Sequence, residues 1–112
     1  MAIHTESLAQ KHCGACHGES GALRGEALDA MLRLTPTWAL AGEGLIAREF
    51  TFKDYRQTLA FVNRVAELAQ AEDHHPSITF TYSKCRIELS THAVNGLSEN
   101  DFILAAKIDA LG

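Results

Sequence analysis

The sequence predicts an α+β fold in which about three helices pack on one face of a four-stranded antiparallel sheet. Two observations support this prediction. The period of the apolar pattern changes along the chain and gives the element order α-β-β-α-β-β-α. Short loops join the successive predicted strands, and such short connections require antiparallel pairing. With 112 residues, 46% of them hydrophobic and 21% charged, the chain has the size and composition of one globular domain.

The first predicted helix and hairpin follow a polar extension over residues 1–22. Apolar residues at helical spacing indicate a helix over residues 22–34, and Pro36 terminates it. Strands are predicted over residues 38–41 and 45–52, with a glycine-rich turn between them.

Two further helices are predicted from their capping residues. Asp54 is a candidate N-cap for a long helix that continues to about Ala71. Ser98 and Asp101 resemble a capping box, with Asp in place of the usual Glu, ahead of a helix over residues 102–111.

The second hairpin is predicted from a strict alternation of apolar and polar residues between positions 78 and 91. A turn centred between Ser83 and Lys84 places apolar partners opposite each other on one face of the sheet. The predicted pairs are Ile78 with Leu89, Phe80 with Ile87, and Tyr82 with Cys85. The same register, continued outward, places His75 opposite His92 on the polar face.

The paired histidines predict a site for proton transfer. An unperturbed imidazole titrates close to neutral pH, which suits it to acid and base catalysis. His74 lies beside the predicted pair, and Asp101 is close enough in sequence to reach it. Two alternatives stay open, namely a hydrogen-bonded surface pair and a metal site, although no other ligand has the standard spacing.

Composition and charge exclude several classes of protein. A formal net charge of −4 is atypical of a protein that binds the phosphate backbone of nucleic acids. No apolar run approaches the roughly 20 residues of a membrane span, and no secretory signal is evident. Three cysteines, an odd number, argue against a secreted disulfide scaffold. We therefore expect a cytoplasmic protein that binds neither nucleic acid nor membrane.

A second motif lies in the extension. Cys13, Cys16 and His17 form a CxxCH pattern, the attachment motif of c-type haem. A zinc or iron site that also uses His12, a redox-active thiol pair, and a purely structural stretch are the alternatives. A tetrahedral site usually combines two separated pairs of ligands, and no second pair is evident. We therefore expect a structural stretch, with no bound metal and no cofactor.

The histidine pattern resembles the signature of the pterin-4a-carbinolamine dehydratases. That signature consists of His-His-Pro, an aromatic residue after five positions, His after nine more, and then Asp. The chain matches it at His74-His75-Pro76, Tyr82, His92 and Asp101. Supporting matches are Asp73, Ser90-Thr91, Gly96-Leu97-Ser98, Phe52-Lys53-Asp54-Tyr55 and Asn63-Arg64-Val65-Ala66, and the resemblance covers about residues 36–111.

The resemblance implies a lyase that removes water from 4a-hydroxytetrahydropterin and gives the quinonoid dihydropterin. This step recycles the cofactor of aromatic amino acid hydroxylases. By resemblance, the catalytic residues are His74, His75 and His92. The residues that bind the substrate or orient an imidazole are Asp73, Ser90, Thr91 and Asp101.

The chain departs from the family pattern at two positions. Gln70 stands where an acidic residue is usual, with Glu72 displaced by two, and Ala93 replaces an acidic residue found in some members.

The resemblance also implies a homodimer or homotetramer. The alternative function is a non-catalytic coactivator or assembly factor with the same fold.

Overall fold

The computed structural model describes residues 5–14 and 21–111, and it confirms the α+β fold with a four-stranded antiparallel sheet. The helices are α1 (Thr5–Gln10), α2 (Gly25–Leu34), α3 (Tyr55–Glu72) and α4 (Glu99–Leu111). The strands are β1 (Ala39–Leu40), β2 (Ile46–Thr51), β3 (Ser77–Phe80) and β4 (Lys84–Leu89), and a 3-10 turn (His92–Val94) precedes α4. Their order in the sheet is β1-β2-β4-β3, so that β1 and β3 form the edges.

The core lies on one face of the sheet. Along β4, Cys85, Ile87 and Leu89 are completely buried, while Lys84 and Arg86, which alternate with them, are exposed. This alternation follows from the period of two in a β-strand. The apolar face of the sheet is therefore covered, and the opposite face carries charged side chains.

Helix α4 passes through the centre of this core. Unlike a surface helix, it is apolar around most of its circumference, as expected of a buried helix. Its buried apolar residues are Phe102, Ile103, Leu104, Ala105, Ala106 and Ile108. At its C-terminal end, Asp109 accepts hydrogen bonds from Trp38 Nε1 at 2.9 Å and Thr37 Oγ1 at 2.8 Å, and contacts the guanidinium of Arg48. These contacts attach α4 to the first hairpin.

Helix α3 begins at the predicted cap. The side chain of Asp54 accepts a hydrogen bond from the Gln57 amide at 2.9 Å, and Gln57 Oε1 accepts one from the Lys53 amide at 3.0 Å. With 18 residues, α3 is the longest helix of the described chain.

None of the helices in residues 5–14 and 21–111 combines the length and apolar character needed to cross a membrane.

Helix α1 was not predicted, because six residues with few apolar positions give no recognisable helical period. It nevertheless contributes to the core. Leu8 is completely buried, and Lys107 Nζ on α4 donates a hydrogen bond to the Ala9 carbonyl at 2.8 Å. The extension over residues 1–22 therefore includes a segment that is integral to the fold.

The predicted register of the second hairpin is wrong by two residues. The observed pairs are Ser77 with Glu88, Ile78 with Ile87, Thr79 with Arg86 and Phe80 with Cys85. Because a shift of two residues preserves the faces of a strand, the alternation is equally compatible with both registers. The turn decides between them. The backbone amide of Thr81 donates a hydrogen bond to the Lys84 carbonyl at 2.8 Å, which leaves Tyr82 in the turn and 65% exposed.

Candidate active site

The end of α3 turns the chain immediately before the two adjacent histidines. Asp73 adopts the left-handed conformation, with φ 52° and ψ 41°. The amide of His74 bonds to the Ala69 carbonyl at 3.1 Å, and the amide of Asp73 bonds to the Gln70 carbonyl at 3.3 Å. This pair of bonds is a Schellman motif, in which glycine is usual and Asp is tolerated. It fixes the direction in which the chain leaves the helix.

The start of α4 holds a completely buried carboxylate. Asp101 reaches back to the amide of Ser98 at 2.9 Å, as the acidic residue of a capping box does. The same oxygen, Oδ2, accepts a hydrogen bond from Thr91 Oγ1 at 2.7 Å. Two donors from different elements thus fix the orientation of this carboxylate.

The second oxygen of Asp101 contacts a histidine. His74 Nε2 lies 2.6 Å from Asp101 Oδ1, and the His74 side chain is 11% exposed. The two residues are 27 positions apart in sequence. They come together because the C-terminal end of α3 lies beside the N-terminal end of α4 in the folded chain. A carboxylate on one ring nitrogen fixes the tautomer and the orientation of the imidazole.

These elements surround a cavity of about 610 Å³. It is lined by Cys13, Gly14, Glu72, Asp73, His74, His75, Ser90, Thr91, His92, Ala93 and Asn100. Six of the seven predicted site residues therefore line a single cavity. The seventh, Asp101, has no exposed surface and contacts His74.

His75 and His92 reach the cavity in a different way from the one predicted. The sheet pairing ends at Ser77 and Glu88, so the expected opposition of the two histidines across the hairpin is wrong. His92 instead begins the 3-10 turn that follows β4. His75 is exposed, and its Nε2 lies 3.0 Å from Gln70 Oε1. Gln70 thus contacts a candidate catalytic residue at the position where the family pattern has an acid.

Glu72 is a cavity residue to which the sequence analysis gave no role. Its oxygens accept a hydrogen bond from the Cys13 amide at 2.7 Å and lie 2.9 Å from His12 Nδ1. Burial alone would raise the pKa of the Glu72 carboxyl group. The Cys13 amide, the His12 ring and the Lys107 ammonium outweigh this effect, so that the pKa of the group is lowered. Only its displaced position in the family pattern could have drawn attention to it.

The CxxCH motif is only partly described, because Cys16 and His17 lie outside the described residues. Within residues 5–14 and 21–111, no cluster of three His, Cys, Asp or Glu side chains could hold a metal ion. The pKa of the Cys13 thiol is raised to about 12, mainly by burial and secondly by the negative charge of Glu72. Reactive thiols have lowered pKa values, so this environment does not favour a redox-active Cys13.

Comparison with protein families gives one match that spans most of the chain. The family model for pterin 4 alpha carbinolamine dehydratase matches residues 21–111. A relative from Nitrosospira multiformis, assigned by name to the pterin-4-alpha-carbinolamine dehydratases, is 50% identical over 106 residues, covering 95% of this chain and 93% of its own. A relative from Legionella pneumophila strain Corby with the same assignment is 44% identical over 109 residues, 96% of each chain.

Two solved structures are similar as well. The crystal structure of a transcriptional coactivator/pterin dehydratase from Brucella melitensis has a TM-score of 0.76 and 32% identity, covering 81% of this chain and 98% of that one. A pterin dehydratase-like protein identified as a RuBisCO assembly factor in the alpha-carboxysome has a TM-score of 0.59 and 30% identity, over 67% of this chain and 88% of that one. The fold, the cavity and these matches agree, and the chain belongs to the pterin-4-alpha-carbinolamine dehydratase family.

Proposed function

We propose that this protein is a hydro-lyase that converts 4a-hydroxytetrahydropterin into quinonoid dihydropterin and water by histidine acid/base catalysis. One observation carries the proposal. His74 lies against the buried carboxylate of Asp101 at the wall of a cavity that His75 and His92 also line. A cavity with several imidazoles suits a reaction that consists of proton transfers.

The reaction requires one proton to be delivered and one to be removed. The C4a–O bond of the substrate breaks, and the leaving hydroxyl group takes up a proton and departs as water. The proton on N5 is lost, and its electron pair forms the C4a=N5 double bond of the product. No electrons are exchanged with another molecule. A well-placed acid or base contributes roughly 10²–10⁴-fold to the rate of such a step.

His74 and His92 are the proposed proton-transfer groups. His74 Nε2 is engaged by Asp101, so its Nδ1 is the nitrogen that we assign to proton exchange with the substrate. The fixed orientation of the ring lowers the entropic cost of reaching the reactive geometry. His92, in the 3-10 turn, is assigned to the second proton.

The other cavity residues are assigned to binding. His75 takes part in binding or proton transfer, and Gln70 holds its Nε2. Asp73 and Ser90 are exposed at the cavity and can form hydrogen bonds with the polar edge of a pterin ring. Thr91 is 5% exposed and acts through its hydrogen bond to Asp101.

Single alanine variants of the three histidines test the proposal. With a synthetic 4a-carbinolamine as substrate, we expect kcat/KM to fall by about 10²-fold or more for His74→Ala and His92→Ala. His75→Ala is expected to lower kcat/KM too. Arg86→Ala, on the exposed face of the sheet, serves as the control and retains wild-type turnover. Wild-type rates in all three histidine variants would refute the proposed site.

The same assay addresses the non-catalytic alternative. A coactivator or assembly factor needs no acid/base cavity, so a folded wild-type protein without turnover would favour that function. The proposal also includes a cytoplasmic compartment, which rests on the composition and the cysteine count, and a homodimer or homotetramer, which rests on the family resemblance. Light scattering on the purified protein tests the oligomeric state, and a monomer would contradict it.

A further inference from the structure

The N-terminal segment, which comprises residues 5–14, forms part of the cavity wall although it precedes the residues that match the family model. Cys13 and Gly14 line the same cavity as the three histidines. We infer that Cys13 and Gly14 contact the bound substrate and help to determine its affinity. This inference rests on the proposed function, because it requires the substrate to occupy this cavity.

Glu72 attaches the wall to the end of α3. It accepts a hydrogen bond from the Cys13 amide at 2.7 Å, and its other oxygen lies 2.9 Å from His12 Nδ1. Its side chain is only 7% exposed. Because Glu72 is the last residue of α3, it directly precedes the turn that carries His74. One side chain therefore connects the wall with the catalytic turn.

Asn100 attaches the wall to the start of α4. Its Oδ1 accepts a hydrogen bond from the Gly14 amide at 3.0 Å, and its Nδ2 donates to the Gly14 carbonyl at 2.7 Å. Two opposed hydrogen bonds fix both the position and the direction of a backbone segment. Asn100 is 8% exposed and adjoins Asp101 in sequence. The wall is thus fastened to both elements that supply the His74–Asp101 pair.

The remainder of the segment is also held in place. Leu8 is completely buried, the Ala9 carbonyl accepts from Lys107 Nζ at 2.8 Å, and Lys11 lies 3.2 Å from Glu99. A wall that is ordered before the substrate arrives loses little entropy on binding, and this favours affinity. Removal of its anchors should therefore weaken binding more than it slows the chemical step.

A steric variant tests whether the wall contacts the substrate. Among the described residues, apart from its chain neighbours, no atom lies within 4 Å of a Cβ atom placed on Gly14, so Gly14→Leu adds volume at the cavity. We expect KM to rise about tenfold with kcat within about twofold of wild type. The affinity for an unreactive 7,8-dihydropterin, measured by calorimetry, should fall by the same factor. Gln10→Leu adds an apolar side chain on the same segment at an exposed site outside the cavity, and is expected to leave KM unchanged.

A second variant tests the anchor. Glu72→Gln retains the shape of the side chain but removes its charge, and is expected to raise KM about fivefold to tenfold. Hydrogen exchange at the Cys13 and Gly14 amides should accelerate in this variant, which gives a readout independent of turnover. Glu67→Gln makes the same chemical change at an exposed position of α3 that does not line the cavity, and is the matched control, with KM and exchange at both amides unchanged.

The outcomes separate this inference from the proposed function. If the wild-type protein turns over the substrate and Gly14→Leu has an unchanged KM, the inference that this wall contacts the substrate is refuted. The proposed function is then left intact. Unchanged exchange of the two amides in Glu72→Gln would refute its role as an anchor. A wild-type protein that neither turns over the carbinolamine nor binds the dihydropterin would refute the proposed function and this inference together.

Discussion

Asp101 shows how a single residue can serve both the fold and the site. Its Oδ2 accepts from the Ser98 amide and the Thr91 hydroxyl, while its Oδ1 faces His74. A carboxylate suits this position because it is an acceptor at both oxygens. The residue caps α4 and orients the imidazole with one carboxylate group.

Asp101→Asn is therefore expected to damage both functions. The amide group has only one oxygen. In one orientation its NH₂ group faces the donors Thr91 and Ser98, and in the other it faces His74 and alters the tautomer of that ring. We expect kcat to fall by about 10²-fold or more and the free energy of unfolding to fall by about 1–3 kcal/mol. Steady-state kinetics and urea denaturation measure the two effects.

The matched control is Asp29→Asn, an exposed position on α2 with the same chemical change. Its turnover and stability should equal those of the wild-type protein. If Asp101→Asn kept wild-type kcat, the assignment of Asp101 as the residue that positions His74 would be wrong.

At the scale of elements, the two ends of α3 have separate tasks. Asp54 caps the first turn, whereas the Schellman motif at Asp73 delivers His74 to the cavity. A helix of 18 residues is about 27 Å long, so the cap and the cavity are far apart. Changes at the first end should affect stability without affecting the chemistry.

Asp54→Ala is expected to lower the free energy of unfolding by about 1 kcal/mol, because the Gln57 amide loses its acceptor. Values of kcat and KM should stay at wild-type levels. Asp54→Asn retains a capping oxygen and should retain nearly all of the stability. Thermal unfolding followed by circular dichroism, together with kinetics, checks this. A large loss of turnover in Asp54→Ala would contradict the separation of the two ends.

The elements also show what could be predicted from the sequence. The alternation along β4 was sufficient to identify the buried face, and the caps Asp54 and Ser98 located α3 and α4, because these signals are local. The register of the second hairpin was not predictable in this way. Its turn is held by Thr58 Oγ1, which donates to the Tyr82 carbonyl at 2.9 Å from a different element.

The same distinction applies to the candidate site. The resemblance named the histidines and Asp101, but the contribution of Cys13 and Gly14 depends on contacts with residues about 60 and 86 positions away. Such long-range contacts have no periodic signature in the sequence. The short helix α1, which is part of this segment, has too few apolar positions to give a recognisable helical period.

At the scale of the whole molecule, Glu72 connects the N-terminal segment to the helical layer and makes stability depend on pH. Its pKa in the folded protein is lowered from the ordinary value of 4.5. Between this lowered pKa and pH 4.5, the folded state therefore binds fewer protons than the unfolded state. The contribution of Glu72 to stability is fully present above pH 4.5. It is lost as the pH falls through the lowered value.

Glu72→Gln provides the reference for this pH dependence, because an amide does not titrate. The difference in free energy of unfolding between the wild-type protein and this variant should be largest above pH 4.5 and should shrink in more acidic solution. Urea denaturation at a series of pH values gives the difference directly. A difference that stayed constant across the series would show that the charge of Glu72 does not stabilise the folded chain.

The contact between Trp38 and Asp109 allows the intrinsic fluorescence of the protein to report on its unfolding. The chain contains a single tryptophan, which is 3% exposed and joins the first hairpin to the end of α4. Its emission should shift to longer wavelength when this junction opens and water reaches the indole ring. Because Trp38 is not among the residues that line the candidate cavity, the signal reports on unfolding separately from the occupancy of the site.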